Sequence, residues 1–599
     1  MAEENDILKI WKEEKSVVGI TGSPSTTIDI VIDIKEESKL GRILGQMVHF
    51  IVKEDEADIL VIGQVISIKT ENRWHQDPTF KGIIRLHGSL PHLSERADNR
   101  IAEISVQAAY KLEKEPETHI LGTSPSTGKS VKKMSNDLMN ALMAKYEKHI
   151  TYMGKVYGTD VDLPFWFKHF DKGEGGAGDA HHIGVFGKSG SGKSVTAAYM
   201  MLGYAKNYEN MNILVLDPQK QFYHGKDFPA GFNFADRVKS LKMNFDRYQL
   251  LQDLFLPGIE FEIFSSLLQK NRFIQSAFGI KSDREHDAAI AISDYLHTRY
   301  NASKGKDCNL NKLNLDTSRK LMFDTLKKFT DKKPSSTTNS KQKLSDYNRY
   351  VQMIYSQKSR IDQMIDKITR ILDNQGIFDD IFNTYWHPIV KYFISKDENG
   401  NEKKPIDYII KKISDENEKG NFIILDISGE SEKIGSENIK ALFVKLIENK
   451  IKEAGERFYS EGKKVNCLIV MDEAHRFISH ESDDPQIKEL TKEIIDSVRT
   501  TRKYGIGYMF ITQTIESLDK EILQQTRIFG FGYGLTLGTE IRVIENIVNS
   551  KSAIQLYKSF IDPSSSGRYP FMFYGSISPL SFTGAPLFLE VYTDPEKFE

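Results

Sequence analysis

The octapeptide GKSGSGKS, residues 187–194, has the spacing G-x-x-x-x-G-K-S. Gly187, Gly190 and Gly192 would let the backbone curl until its N–H groups face phosphate oxygens, with Lys188, Ser189, Ser191 and Val195 completing the cradle. In that pattern Lys193 reaches the β and γ phosphates of a nucleotide and the Ser194 hydroxyl holds Mg²⁺. The plain alternative is a Gly-Ser linker, and the flanks argue against it. The apolar run IGVF (183–186) precedes the loop, and the helix-forming SVTAAYMMLGYAK (194–206) follows it.

A second constellation complements the first. LIVMDE, residues 468–473, predicts a buried strand ending in acids at the sheet edge where open α/β sheets bind ligands. Asp472 would support Mg²⁺ through its water shell, and Glu473 would polarise the attacking water as general base. Without the cradle, the same pair would read as solvated charge at a strand end. Gln513, closing YMFITQT (508–514), is placed to sense the γ-phosphate, or is an ordinary strand-end amide. Hydrolysis also needs positive charge against the transition state, often an arginine from a neighbouring subunit. The run VRTTRKYG (498–505) offers Arg499, Arg502 and Lys503, which would equally suit a basic helix end complementing its dipole.

The elements that must carry these residues follow from periodicity. NILVLD (212–217), NFIILDIS (421–428), CLIVMDE (467–473), YMFITQT and IFGFGYGL (528–535) predict buried strands separated by helices. One helix shows the stripe Ile439, Leu442, Phe443, Leu446, Ile447 and Ile451; another starts at Asp484 and Pro485 and shows Ile487, Leu490, Ile494 and Val498. The fold class expected is α/β, a RecA-like P-loop core with a parallel central sheet. Alternating segments such as TTIDIVIDI (26–34), DILVIGQVISI (58–68) and RIAEISVQ (100–107) predict a small N-terminal β-barrel. Between the second and third strands, long polar helices predict an inserted helical bundle, with Ile361, Met364, Ile365, Ile368, Ile371 and Leu372 on one face. Two stretches, GEGGAGDA (173–180) and DKKPSSTTNSKQK (331–343), read as linkers. The boundaries expected are a barrel at 1–120, the ATPase core at 121–222 and 421–575, the helical insertion at 223–420 and a C-terminal brace at 576–599.

Composition bounds the rest. A chain of 599 residues calls for several domains, and 39% hydrophobic with 27% charged residues is ordinary for folded proteins. A formal charge of −2 gives no global pull toward nucleic acid, so a DNA site must be a local basic cluster, such as 239–250 or 499–503. Cys308 and Cys467 are too few and too far apart for a disulfide framework or a zinc site. The N-terminus has no apolar signal core and no run reaches a membrane span, which predicts a cytoplasmic protein. No N-K-x-D guanine motif, LSGGQ-like segment or nuclease constellation is present.

The tetrapeptide DEAH (472–475) raises the question of a DEAH-box helicase, but such enzymes carry two nucleotide folds and this chain has one cradle. There is no QRxGR-type segment after residue 513, so Ala474 and His475 are incidental to the motif, His475 being expected as a structural residue or a support for the residues that touch the nucleotide, with a direct role as the alternative. The chain instead resembles the HerA branch of the HerA/FtsK translocases, through HHIGVFGKSGSGKS, MDEAHRFI and VRTTRKYGIGYMFITQTIESLDKEILQQTRIF. That resemblance implies an ATP-driven homo-hexameric ring translocating on double-stranded DNA, with ATP and Mg²⁺ as cofactors and a HAS-type N-terminal barrel. By position it gives Lys193, Ser194, Asp472, Glu473 and Gln513 the nucleotide roles and makes Arg499 and Arg502 candidates for the trans arginine. It further implies a separate partner docking through the barrel, either a nuclease or a sirtuin-like, NAD-consuming effector in anti-phage defence, and a last strand crossing to a neighbour, for which PLFLEVYTD (586–594) is the candidate. A ring scaffold regulating such an effector is the competing function. Two departures stand out: the family's D-P-x-G-E-Y is DPQKQF (217–222), with Lys220 for Gly and Gln221 for Glu, and TTR (500–502) replaces E-G-R.

Overall fold

The computed structural model describes residues 6–594, apart from 40, 91–92, 114, 168–169, 171–178, 208–209, 225–233, 251, 332–346, 397–399, 416–419, 429–436, 479–484 and 582. The expected cap at Asp484, nearly all of the linker 331–343 and most of 173–180 lie outside the described residues.

Period-two segments near the N-terminus form β1 (Val17–Thr21), β2 (Asp29–Ile34), β3 (Met47–Glu54), β4 (Ala57–Glu71), β5 (Asn99–Leu112), β6 (Pro116–His119) and β7 (Ser130–Lys133). The order β2-β1-β7-β3-β4-β5 closes on itself through a β2–β5 pairing, while β6 adds to β5 from outside. Closure removes the free edges that an open sheet of this kind would expose. Its interior is a separate core of Val18, Ile30, Ile32, Phe50, Val61, Ile104 and Val131. The barrel reaches past residue 120, because the four-residue strand β7 bridges β1 and β3.

The remaining strands are β8 (Ile150–Val156), β9 (Asp162–Trp166), β10 (His182–Phe186), β11 (Asn212–Asp217), β12 (Asn244–Gln249), β13 (Leu254–Phe255), β14 (Lys404–Pro405), β15 (Asn421–Asp426), β16 (Cys467–Met471), β17 (Ile506–Thr512), β18 (Thr526–Gly532), β19 (Tyr569–Tyr574) and β20 (Leu587–Val591). Apart from the short β13–β14 pair, they form one 11-stranded sheet in the order β12-β15-β11-β16-β17-β10-β18-β19-β20-β8-β9. From β12 to β18 every pairing is parallel. Beyond β18 every pairing is antiparallel, so the parallel sheet expected from sequence carries an antiparallel extension.

Alternation sends successive side chains to opposite faces. Leu214 and Leu216 join one core with Ile469, Met471, Tyr508 and Phe510; Ile213 and Val215 join another with Leu468, Val470, Met509 and Ile511. The first face is met by the helix Glu437–Ser460, whose Glu448 accepts from Tyr508, and the same core runs on into the helical insertion, where the helix Lys358–Asp373 buries Ile361, Met364, Ile365, Ile368 and Ile371 as its spacing predicts. The second is covered by the helix Lys193–Asn207, buried over nearly its whole length.

Two expected boundaries differ from the fold. β12 lies inside the stretch 223–420 read as helical insertion, yet it pairs with β15 as the outer strand of the parallel sheet. Its sequence NFDRYQ is polar because an edge strand is only half covered. The C-terminal segment expected to cross to a neighbour instead lies between β19 and β8 of its own sheet, where alternate residues of LFLEV are buried against both faces.

Candidate nucleotide site

β10 ends where residues 187–192 begin, and the helix starts at Lys193, so the strand-loop-helix order predicted from sequence is present. The loop needs its glycines. Gly190 and Gly192 sit at φ +79° and +89°, and a Cβ on Gly192 would lie 2.5 Å from the Tyr569 ring. The loop is pinned by the Lys188 N–H donating to the Tyr533 carbonyl at 3.1 Å and the Ser191 N–H donating to the Lys188 carbonyl at 3.1 Å. Lys193 is only 8% exposed, and its ammonium donates to the Lys188 carbonyl at 3.0 Å, folded back across the loop. Burial pulls its pKa below the lysine range, opposed by Glu473 and Asp472.

β16, separated from β10 by β17, delivers the two carboxylates just past its C-terminal end. Asp472 is buried, and burial, then Asp217 and Glu473, push its carboxyl up to about 7, opposed by the Glu473 N–H and by Lys193. Its Oδ2 has no hydrogen-bond partner, and neither has the buried Ser191 Oγ inside the loop. Two orphaned oxygen groups beside a lysine and a serine hydroxyl fit a divalent cation with phosphate, which would satisfy both. Glu473 holds φ 48° and ψ 46°, a left-handed conformation that few non-glycine residues adopt. Its Oε1 accepts from Gln513 Nε2 at 2.9 Å and from Gln219 Nε2 at 3.4 Å, and its Oε2 lies 3.3 Å from His475 Nδ1. His475 also contacts Thr512 Oγ1 at 3.1 Å, so it stands beside Glu473 as a supporting residue.

Arg499 and Arg502 are not brought to this cluster. β10 and β17 are parallel, and both arginines precede β17, at the sheet edge opposite the phosphate loop. Arg499 pairs with Glu521, while Arg502 Nε donates to the Ala180 carbonyl at 3.1 Å, just before β10. A strand of that length separates the two edges by roughly 15 Å at about 3.3 Å per residue. His182 ties the same edge together: its Nε2–H donates to the Val498 carbonyl at 2.8 Å, and its Nδ1 accepts the Tyr508 N–H at 3.2 Å. Burial drops its pKa to about 4, which keeps it neutral, and the two backbone partners fix that tautomer. Of the basic residues in 239–250, Arg247 lies over the Phe245 ring at 4.9 Å. Cys308 and Cys467 are buried free thiols, as expected.

Sequence reasoning missed the stretch after β11. The Asp217 carboxylate is fully buried and accepts from the N–H groups of Gln219 (3.2 Å), Gln221 (3.1 Å), Phe222 (2.8 Å) and Tyr223 (2.7 Å). Gln221 Oε1 accepts the Ser194 hydroxyl at 2.7 Å. The only signal was DPQKQF, flagged as a departure and otherwise plain polar text.

Residues 180–382 match the family model described as the central domain of the helicase HerA. No curated protein matches the chain. Similar solved structures include VirB4 of Thermoanaerobacter pseudethanolicus, at 11% identity and a TM-score of 0.38, covering 75% of this chain and 97% of that one. The bacterial conjugative coupling protein TrwBΔN70 gives 10% identity and a TM-score of 0.38, covering 77% and 92%. The DNA-packaging ATPase B204 of Sulfolobus Turreted Icosahedral Virus gives 14% and 0.20, covering 31% and 71%. Among the described residues no helix is long and apolar enough to cross a membrane. The segment that matches the HerA central-domain model holds the phosphate loop, β11 and much of the helical insertion.

Proposed function

We propose that this chain is an ATP-hydrolysing motor subunit that works as a homo-hexameric ring on double-stranded DNA, with Mg²⁺ as the metal. The observation that carries the reading is the convergence of Lys193, Ser194, Asp472, Glu473 and Gln513 at the C-terminal edge of one parallel sheet, the first two inside the segment that resembles the HerA central domain. The neighbours named as a DNA-packaging ATPase and a conjugative coupling protein carry names consistent with it.

In this mechanism the loop N–H groups and Lys193 bind the phosphates, Lys193 turning from the Lys188 carbonyl to do so. Ser194 and Asp472 would hold Mg²⁺, which supplies charge neutralisation at the β and γ phosphates. Glu473, oriented by Gln513, accepts a proton from the attacking water. Arg499 or Arg502 acts on the site of the adjacent subunit, for which their place at the far sheet edge is suitable. A partner protein, a nuclease or an NAD-consuming effector, docks on the N-terminal barrel. A second reading, a nucleotide-gated scaffold for that effector, draws support from Ser194 and Glu473 both being engaged by glutamines, with Gln221 where the family has Glu.

The test is ATP turnover with and without duplex DNA at matched oligomer size, for the wild type, Lys193→Ala and Glu473→Gln. Stimulation by DNA that both substitutions abolish, with a loss on the order of 10² to 10⁴ for Glu473→Gln, supports the motor. Slow turnover indifferent to DNA rejects it in favour of the scaffold.

A further inference from the structure

Four side chains between the phosphate loop and β16 form a continuous hydrogen-bonded line. The Ser194 hydroxyl donates to Gln221 Oε1 (2.7 Å), Gln221 Nε2 donates to Gln219 Oε1 (3.1 Å), and Gln219 Nε2 donates to Glu473 Oε1 (3.4 Å). Every amide in the line uses its oxygen on one side and its nitrogen on the other, so the direction of donation is fixed from Ser194 to Glu473. Gln219 and Gln221 are exposed, but all three links rise from a backbone that is clamped. The buried Asp217 carboxylate holds the N–H groups of Gln219, Gln221, Phe222 and Tyr223. Between the two glutamines Lys220 takes φ +61°, with its ammonium 3.9 Å from Asp426 Oδ2 on β15. Such a conformation at a non-glycine residue persists only where its surroundings enforce it. Here it reverses the chain so that residues 219 and 221 meet side by side.

We propose that Gln219 and Gln221 are positioning residues that couple Ser194, at the metal, to Glu473, at the attacking water. The proposal rests on the nucleotide-site reading given above. A metal bound through Ser194 takes a lone pair of the hydroxyl, leaves its proton on Gln221 Oε1 and makes the hydroxyl a stronger donor to it. Gln219 feels that change through its oxygen and passes it to Glu473 through its nitrogen. Arrival of the metal with nucleotide is thereby reported to the general base inside one subunit. The residues are those of this chain: a glutamate at 221 would accept from Ser194 but could not donate onward to Gln219.

The experiment is a double-mutant cycle of Gln219→Ala and Gln221→Ala in the full chain. Two quantities are read: the Mg²⁺ concentration giving half-maximal binding of a fluorescent ATP analogue, and kcat at saturating MgATP. Gln221→Ala removes the acceptor that orients and polarises the Ser194 hydroxyl, and should raise the Mg²⁺ half-saturation about two- to fivefold, the worth of one exposed hydrogen bond. Each single substitution should lower kcat by a similar factor, and the double should fall no further than either single. Two independent residues would give a double whose kcat loss is the product of the singles, and that result overturns the coupling. An unchanged Mg²⁺ half-saturation in Gln221→Ala overturns it as well. The two readings fail separately. A wild-type chain that binds the analogue with Mg²⁺ but turns nothing over sinks the hydrolytic function, while the binding measurement still judges the link between Ser194 and Gln221. A chain that binds no nucleotide sinks both.

Discussion

Gly192 shows how little freedom the phosphate loop has. Its φ of +89° and the Tyr569 ring 2.5 Å from any added Cβ act together, so Gly192→Ala meets both a backbone penalty and a clash with a half-buried aromatic side chain packed against the core of the sheet's second face. The strain falls on the loop, and the strand and helix around it are held by their own burial. The expected outcome is a loss of nucleotide affinity of at least tenfold with circular dichroism and oligomer size unchanged. Isothermal titration with ATP and Mg²⁺ reads it, and affinity within twofold of the wild type would show that the loop does not close on phosphate as described.

At the scale of elements, the helix Glu437–Ser460 packs on the central sheet with one acid turned inward. Glu448 is 1% exposed and accepts the Tyr508 hydroxyl at 2.6 Å. Burial raises its pKa to about 7; the Tyr508 hydroxyl opposes the rise, and Glu493 from the facing helix adds to it. The folded state therefore keeps a proton between about pH 4.5 and pH 7 that the unfolded chain releases. Stability contributed by this group is fully present below 4.5 and is lost as pH rises through about 7, an effect on the order of 3 kcal/mol from the size of that shift. Glu448→Gln keeps an acceptor for Tyr508 and removes the titration. Its Tm should exceed that of the wild type at pH 8 and approach it at pH 5, and parallel Tm profiles across that range would refute the assignment.

The same elements show which parts of the fold were legible. The strands flanking the cradle are apolar on both faces, so their text is a continuous hydrophobic run that only burial explains. The helix Lys358–Asp373 and the helix Pro485–Thr500 show their buried stripes at the predicted positions. β12 and β7 were not legible, one because an edge strand keeps polar residues and the other because four residues carry no period. Within the site, Lys193, Ser194, Asp472 and Glu473 announce themselves by spacing. Gln219 and Gln221 do not, because a glutamine in a loop has no pattern until the backbone turn at Lys220 brings two of them together.

At the scale of the whole molecule, the residues proposed for nucleotide and the two arginines sit at opposite edges of the sheet. The nucleotide residues end β10, β16 and β17, while Arg499 and Arg502 precede β17. A rigid subunit cannot bring the second set to the first, since β10, β16, β17 and β18 are tied into one parallel sheet and His182 locks the arginine edge through Val498 and Tyr508. If the arginines serve hydrolysis, they serve it across a subunit boundary. Subunit mixing decides this. Glu473→Gln alone and the double variant Arg499→Ala with Arg502→Ala alone should each be inactive, the first lacking its base and the second its trans charge. Mixed one to one and reassembled, a site is complete wherever a subunit with intact Glu473 meets a neighbour with intact arginines, so about a quarter of the sites should recover in a randomly mixed ring. Recovery to that level establishes that active sites are shared between subunits. No recovery, with mixed assemblies confirmed by native mass spectrometry, would place the arginines in the service of DNA or of the fold, and the catalytic cation would have to be sought among the residues that already surround Glu473.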